Sequence, residues 1–125
     1  HAAAADVVMD GKATVLVLPR VRDVDVLTYN LMGVHWRYRG KEPRHQGKRW
    51  VLLTARAKVP VLAHELCHFF GLPHHRAGGN LMTPGPSDPI YRDKDSARPA
   101  GFKAVLTAAQ VKRLRRGVLK FLGQK

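Results

Sequence analysis

His64-Glu65-Leu66-Cys67-His68-Phe69-Phe70-Gly71-Leu72-Pro73-His74 is the stretch from which this chain is best read. On a helix, His64 and His68 stand one turn apart on the same side, so both imidazoles can reach one metal ion. Glu65 lies beside the first histidine, where its carboxylate can touch a water on that ion without filling a coordination position. A straight helix would carry His74 away from the other two. Gly71 can take the left-handed conformation that ends a helix, and Pro73 discourages continuation, so the chain can fold back and bring His74 to the same ion. Three neutral nitrogen ligands plus one open position describe a catalytic zinc site rather than a structural one. The competing reading is a set of surface histidines on an amphipathic helix. It accounts for HExxH alone, but not for a glycine and a third histidine at the required offsets.

At these residues the chain resembles the metzincin clan of zinc metallopeptidases, whose motif is HExxHxxGxxH followed by a methionine-containing turn. Asn80-Leu81-Met82, ending eight residues past His74, resembles that turn. The resemblance implies that Met82 forms an apolar floor under the three imidazoles without binding the ion; the plain alternative is an ordinary core methionine. Leu106-Thr107-Ala108-Ala109-Gln110, opening a basic helix, resembles the last helix of many small metzincins. The likeness is strong from Val61 to Met82, loose from Val105 to Leu122 and weak before residue 48.

The chain also departs from the clan. His75 follows the third histidine, a position that differs between metzincin families, and it matches none of the familiar ones. It is a candidate for supporting the ligands from outside the coordination sphere, although the motif is complete without it. Pro84 replaces the tyrosine that in some families reaches the metal. It does match the matrixin pattern, which makes it a candidate wall of the S1′ pocket for the side chain just past the cut. Pro86 stands where that pattern has a second tyrosine, so no family's specificity carries over.

The coarse layout is that of an α+β fold, a reduced metzincin-like catalytic domain with a small twisted sheet on the zinc-motif helix. Ala13 to Leu18 is apolar, β-branched and bounded by Gly11 and Pro19, and reads as a buried strand after a flexible start at Ala2 to Ala5. Asp23 to Met32 fits either a short helix or a strand. Val34 to Arg39 alternates and Arg49 to Ala55 is apolar; these two can pair as a hairpin of open register. The motif helix should start near Pro60 and pack Val61, Leu62, Leu66, Phe69 and Phe70 on the sheet. Residues Gly78 to Gly101 read as an irregular loop. Thr107 and Gln110 form a capping box for a last helix with Val111, Leu114, Val118 and Leu122 as its apolar stripe and Lys112, Arg113, Arg115, Arg116 and Lys120 turned outward.

With 125 residues and 45% hydrophobic content, one domain is expected, its sheet and motif helix within residues 1–75 and its Met-turn and last helix within 76–125. No apolar run is long enough to cross a bilayer. The chain opens on His1, as expected of a processed product or an excised domain with any signal or pro-segment upstream. Cys67 is the single cysteine, so no intramolecular disulfide can form, and it reads as a buried small side chain. A secreted, periplasmic or extracellular monomer is the expectation.

Lys and Arg outnumber Asp and Glu 22 to 9, giving a net charge of +13. Such a surface favours polyanions, with an anionic cell envelope or an acidic protein preferred. Trp36-Arg37-Tyr38-Arg39 and Lys48-Arg49-Trp50 mix aromatics with cations, but alternating strand aromatics are more often core, so nucleic acid is not expected. His35 and His45, set among basic residues, read as solvent-exposed. Asp88, Asp93 and Asp95 match no calcium loop and read as turn residues.

The function expected is a zinc-dependent endopeptidase using one catalytic Zn2+. Glu65 would act as general base and then acid for a metal-activated water, cutting a peptide or protein substrate. Two alternatives stand beside it: a basic envelope- or nucleic-acid-binding module with a structural or silent zinc site, and a zinc amidase acting on cell-wall peptides.

Overall fold

A computed structural model of the chain describes residues 2–9, 11–19, 21–22, 30–31, 33–55, 57, 59–75, 79–83 and 105–123. The elements are α1 (Ala2–Asp6), β1 (Val15–Leu18), β2 (Val21–Arg22), β3 (Asn30–Leu31), β4 (Gly33–Arg37), β5 (Arg49–Thr54), α2 (Val59–Phe69) and α3 (Ala108–Gly123). They form the small α+β fold expected.

The core follows from β5. Its Trp50-Val51-Leu52-Leu53-Thr54 run is almost continuously apolar, the composition of a strand covered on both faces. It occupies the centre of a three-stranded sheet, parallel to β1 and antiparallel to β4. β2 and β3 form a separate antiparallel pair. Trp50 and Val51 are fully buried, and Val51, Leu53 and Phe69 make one core cluster with Val15, Val61, Leu62, Leu66, Phe70 and Phe121 around it. Burying an aromatic such as Phe69 stabilises the fold by about 2–3 kcal/mol.

β4 and β5 pair as the sequence suggested, and the structure supplies the register that the loop left open. Val34 faces Leu52, Trp36 faces Trp50 and Arg37 faces Arg49. The Tyr38 N–H donates to Lys48 O at 3.0 Å, which makes Trp36–Trp50 a hydrogen-bonded pair and His35–Val51 and Arg37–Arg49 the narrow pairs between. Main-chain N–H groups of narrow-pair residues point away from the partner strand. For Val51 that direction leads to Thr14 O on the β1 side, at 2.9 Å. For His35 it leads off the sheet edge.

Several expectations need correcting. The first strand begins at Val15 rather than Ala13, and it is not buried throughout: it lies at a sheet edge, with Val17 62% and Leu18 39% exposed. Ala2 to Ala5 is not a loose start but part of a short helix, whose Ala5 is buried and whose carbonyl accepts Lys48 Nζ at 3.0 Å. His45 is buried, not exposed. It sits in a 3-10 turn (Pro43–His45) with Nε2 3.0 Å from Asp6 Oδ1 and its ring against Tyr38. His35 is half-buried, its ring edge-on to Phe69. Of the ambiguous segment Asp23 to Met32, only Asn30 and Leu31 lie among the described residues, and they are extended.

Helix α3 carries the capping box in full. Thr107 N–H donates to Gln110 Oε1 at 2.8 Å, and Gln110 N–H donates to Thr107 Oγ1 at 3.2 Å. Its buried stripe is rotated from the one expected. Leu114 and Val118 are half-buried as foreseen, but Val111 and Leu122 are exposed, and Gly117 and Phe121 take their places. The physical reason is a close crossing: a Cβ at Gly117 would overlap the Phe70 carbonyl oxygen. With the helices that near, Phe121 reaches Phe69 and Phe70, and the three rings meet edge-to-face at 5.1–5.6 Å. Lys112, Arg113, Arg115, Arg116 and Lys120 are exposed. Among the described residues no helix is long and apolar enough to cross a membrane.

Candidate metal centre

The site grows out of α2 and the turn that ends it. Helix positions 61, 65 and 69 form one stripe facing β4 and β5, while His64 and His68 look to one side of it. Gly33 lets the edge strand pass close beneath: a Cβ there would stand 2.8 Å from Leu53 Cδ2, 3.0 Å from Val61 Cγ1 and 3.1 Å from Glu65 Cγ. That approach brings the Glu65 carboxylate to the His35 N–H, the group the strand register turns outward, and the carboxylate accepts it.

The chain reverses after α2 through a complete Schellman motif. Gly71 has φ +103°, Gly71 N–H donates to His68 O at 3.0 Å, and Leu72 N–H donates to Cys67 O at 2.9 Å. The apolar contact that accompanies such caps is present, since Leu72 and Cys67 share a buried cluster with Leu81 and Met82. This reversal does two things for the site. It returns His74 to the ligand pair, and it aims the Leu72 carbonyl at His68.

The three histidines converge. Their ring centroids are 4.7 Å (His64–His68), 4.7 Å (His68–His74) and 5.3 Å (His64–His74) apart, and one ring nitrogen from each lies within 4.8 Å of the others. Main-chain carbonyls set the tautomers. His64 Nδ1 lies 2.7 Å from Leu81 O and His68 Nδ1 2.6 Å from Leu72 O. A carbonyl only accepts, so both Nδ1 atoms carry the proton and both Nε2 atoms present lone pairs. Those two lone-pair nitrogens face each other at 3.1 Å. Two acceptors that close repel unless a cation or proton lies between them, and tetrahedral nitrogen ligands about 2.0–2.1 Å from zinc stand about 3.3–3.4 Å apart. The donor set, its tautomers and its spacing therefore suit a divalent metal ion. The group can hold a metal ion.

Burial sets the protonation states. His68 is held down to about 4, by burial first, against the opposing Leu72 carbonyl, and further by neighbouring His64 and His74. His64 is also lowered by burial, with Leu81 opposing. Both are thus neutral at neutral pH, the form in which imidazole can take up a metal ion. Glu65 is pushed up to about 7 by burial, with the His35 N–H opposing. Burial also raises Cys67, which is buried as expected and inert as a nucleophile.

Met82 is fully buried in the cluster with Cys67, Leu72 and Leu81. Its turn spans Asn80 to Thr83, closed by Thr83 N–H to Asn80 O at 3.1 Å and Asn80 N–H to Thr83 Oγ1 at 3.2 Å. The Asn80 side chain organises it from within: Oδ1 accepts Met82 N–H at 2.9 Å and Gln110 Nε2 at 3.0 Å, while Nδ2 donates to Gln110 Oε1 at 2.8 Å. One Gln110 amide thus caps α3 and grips the methionine turn. The Leu81 N–H donates to Val105 O at 2.9 Å, and Leu81 O in turn orients His64. His75 joins through its backbone, donating N–H to Met82 O at 2.8 Å. Pro84, Pro86 and the three aspartates 88, 93 and 95 lie outside the described residues.

Sequence reasoning missed the groups that orient the site: the carbonyls of Leu72 and Leu81 on the histidines, the His35 N–H and Gly33 at Glu65, and the Asn80–Gln110 pair. Only Asn80 left a readable signal, an Asx residue two positions before the buried Met82 N–H. No family model matches the chain, and no curated protein or solved structure matches it.

Proposed function

We infer that the chain is a zinc-dependent endopeptidase of metzincin type. The observation that carries the reading is the pair of Nε2 lone pairs fixed 3.1 Å apart, with His74 beside them and Glu65 next in sequence. Zinc, when bound, supplies a Lewis acid that brings water deprotonation near neutral pH and polarises a carbonyl. The histidines hold that ion as neutral ligands, His64 and His68 each locked by a main-chain carbonyl. Glu65 takes the proton from the attacking water and passes it to the departing amine; its burial, which favours the neutral carboxyl, helps it hold the proton between the two transfers. Because β4 lies at the edge of its sheet, an extended peptide pairing along it would take over the His35 N–H from Glu65 and so release the carboxylate beside the peptide. Metzincin resemblance, buried Met82 and the capped last helix support the same reading.

The test is Glu65→Gln, whose amide oxygen can still accept the His35 N–H. Peptide-library cleavage is compared at equal, stoichiometric zinc. Cleavage should fall at least ~100-fold with zinc binding unchanged. A zinc-loaded wild type that cuts no peptide, or a variant that cuts as well, overturns the reading.

A further inference from the structure

Beyond the end of α2, on the side of the sheet that the helix covers, lies a hollow of about 410 Å3 lined by none of the three histidines. Arg37, Lys48, Arg49 and Lys120 line it, with Phe69 and Phe121 as apolar walls, and no carboxylate lines it among the described residues. A smaller hollow of about 160 Å3 adjoins it through Lys48, Arg49, Phe69 and Phe121, and adds Lys12.

The basic residues are placed in opposition to one another. Arg37 and Arg49 face each other across β4 and β5 as a narrow pair, whose Cα atoms stand about 4.5 Å apart. Like charges directly opposite on adjacent strands destabilise a sheet. Arg49 is held in place by a 2.7 Å bond to Phe69 O and by stacking on the Phe69 ring, 4.6 Å from its centroid. Its guanidinium pKa is lowered, by burial first and then by Arg37. None of the four basic residues pairs with a carboxylate among the described residues, where the acidic partners Asp6 and Glu42 are taken by Arg44 and His45. Four cations with no counter-charge among the described residues, two of them apposed, suit an anion of more than one charge. Guanidinium forks fit tetrahedral oxyanions bidentately, and a lone carboxylate would neutralise only a quarter of the set.

We propose that this hollow is a binding site for a phosphate-bearing ligand, the phosphate bridging Arg37 and Arg49 with Lys120 beside them and Lys48, anchored on Ala5 O, adding positive charge at the rim, and the apolar part resting on Phe69 and Phe121. The ligand is either a soluble phosphate monoester or an anionic phospholipid head group. The site gives a location to part of the +13 charge and does not depend on the metal reading.

Phenyl phosphate titrated into the zinc-loaded full chain, followed by backbone amide shifts, tests the soluble source. Co-sedimentation with phosphatidylglycerol vesicles, against phosphatidylcholine vesicles, tests the lipid source. The double variant Arg37→Gln/Lys120→Gln should weaken binding at least tenfold, whereas Lys112→Gln/Arg116→Gln, of equal charge loss on exposed α3 positions, should weaken it less than twofold. Pocket-dependent binding of phenyl phosphate identifies a soluble ester, and pocket-dependent binding of vesicles alone identifies a head group. Equal effects of the two doubles, absence of saturable binding to either probe, or phenyl phosphate shifts confined to His64, His68 and His74 overturns the proposal.

Discussion

Asn80→Ala is the sharpest test of how the site is held, because its cost is built from three bonds of different worth. Asn80 is buried, and its Oδ1 satisfies the N–H of Met82, which is itself fully buried. Truncation leaves that N–H without a partner, at a cost of about 1–3 kcal/mol. The two bonds to Gln110 are cheaper to lose, since Gln110 is only half-buried and its Oε1 keeps the Thr107 N–H. They add about 1 kcal/mol. The sum of about 2–4 kcal/mol is a large share of the 5–15 kcal/mol typical of a domain. A second effect separates this variant from a merely destabilised one. The turn positions Leu81 O, which fixes the His64 tautomer, so zinc affinity should fall about 10–100-fold. Thr107→Ala is the control: it removes the 3.2 Å bond to Gln110 N–H and costs about 1 kcal/mol, but leaves the turn intact. Urea unfolding followed by circular dichroism gives the stabilities, and competition with a chromophoric chelator gives the zinc affinities. If Asn80→Ala binds zinc within twofold of wild type, or loses no more stability than Thr107→Ala, the proposed line from cap to turn to ligand is wrong.

Gly71→Ala isolates conformational cost, because nothing lies within 4 Å of the added Cβ while φ is +103°. A loss of about 1–2 kcal/mol in urea unfolding is expected, and a neutral result would contradict the Schellman cap. Gly117→Ala instead adds a steric clash with the Phe70 carbonyl. It should cost about 1–3 kcal/mol and weaken the Phe69–Phe70–Phe121 contact; unchanged near-ultraviolet dichroism and stability would argue against that crossing. The metal-free protein should gain stability as pH rises from 4.5 to 6.5. His35 and His68, both depressed to about 4, contribute stability that is full above 6.5 and is lost as pH falls through 4. Glu65, raised to about 7, acts in the opposite sense, since its contribution is full below 4.5 and is lost as pH rises through 7. Glu65→Gln removes that opposition, so its melting temperature should climb more steeply over the same interval; an identical slope would show that Glu65 is not buried as its surroundings imply.

What could be read in advance divides along sequence distance. The i,i+4 histidines, the glycine stop and the Thr107–Gln110 box are local codes, in which a few neighbouring residues carry the whole instruction, and the corresponding elements appear where those residues stand. The stripe on α3 was misread because a glycine has no hydrophobic signal. Gly117 matters through the absence of a side chain at a crossing with Phe70, a fact about a partner 47 residues away. His45 was misread for a similar reason, since a basic, loop-rich neighbourhood does not disclose that α1 folds over it with Asp6 3.0 Å from its ring.

The grouping of the three histidines, with Glu65 beside the first, was already written in the spacing of positions 64, 65, 68, 71 and 74, which specifies one helix face and one reversal. Which nitrogen His64 and His68 present, and how acidic Glu65 is, came only with the packing of distant segments. Those properties depend on carbonyls at Leu72 and Leu81, on an outward N–H at His35 and on burial under a strand that only Gly33 lets approach. Tautomer and pKa are set by the dipoles and the loss of water around a group, and those are assembled only when distant segments pack.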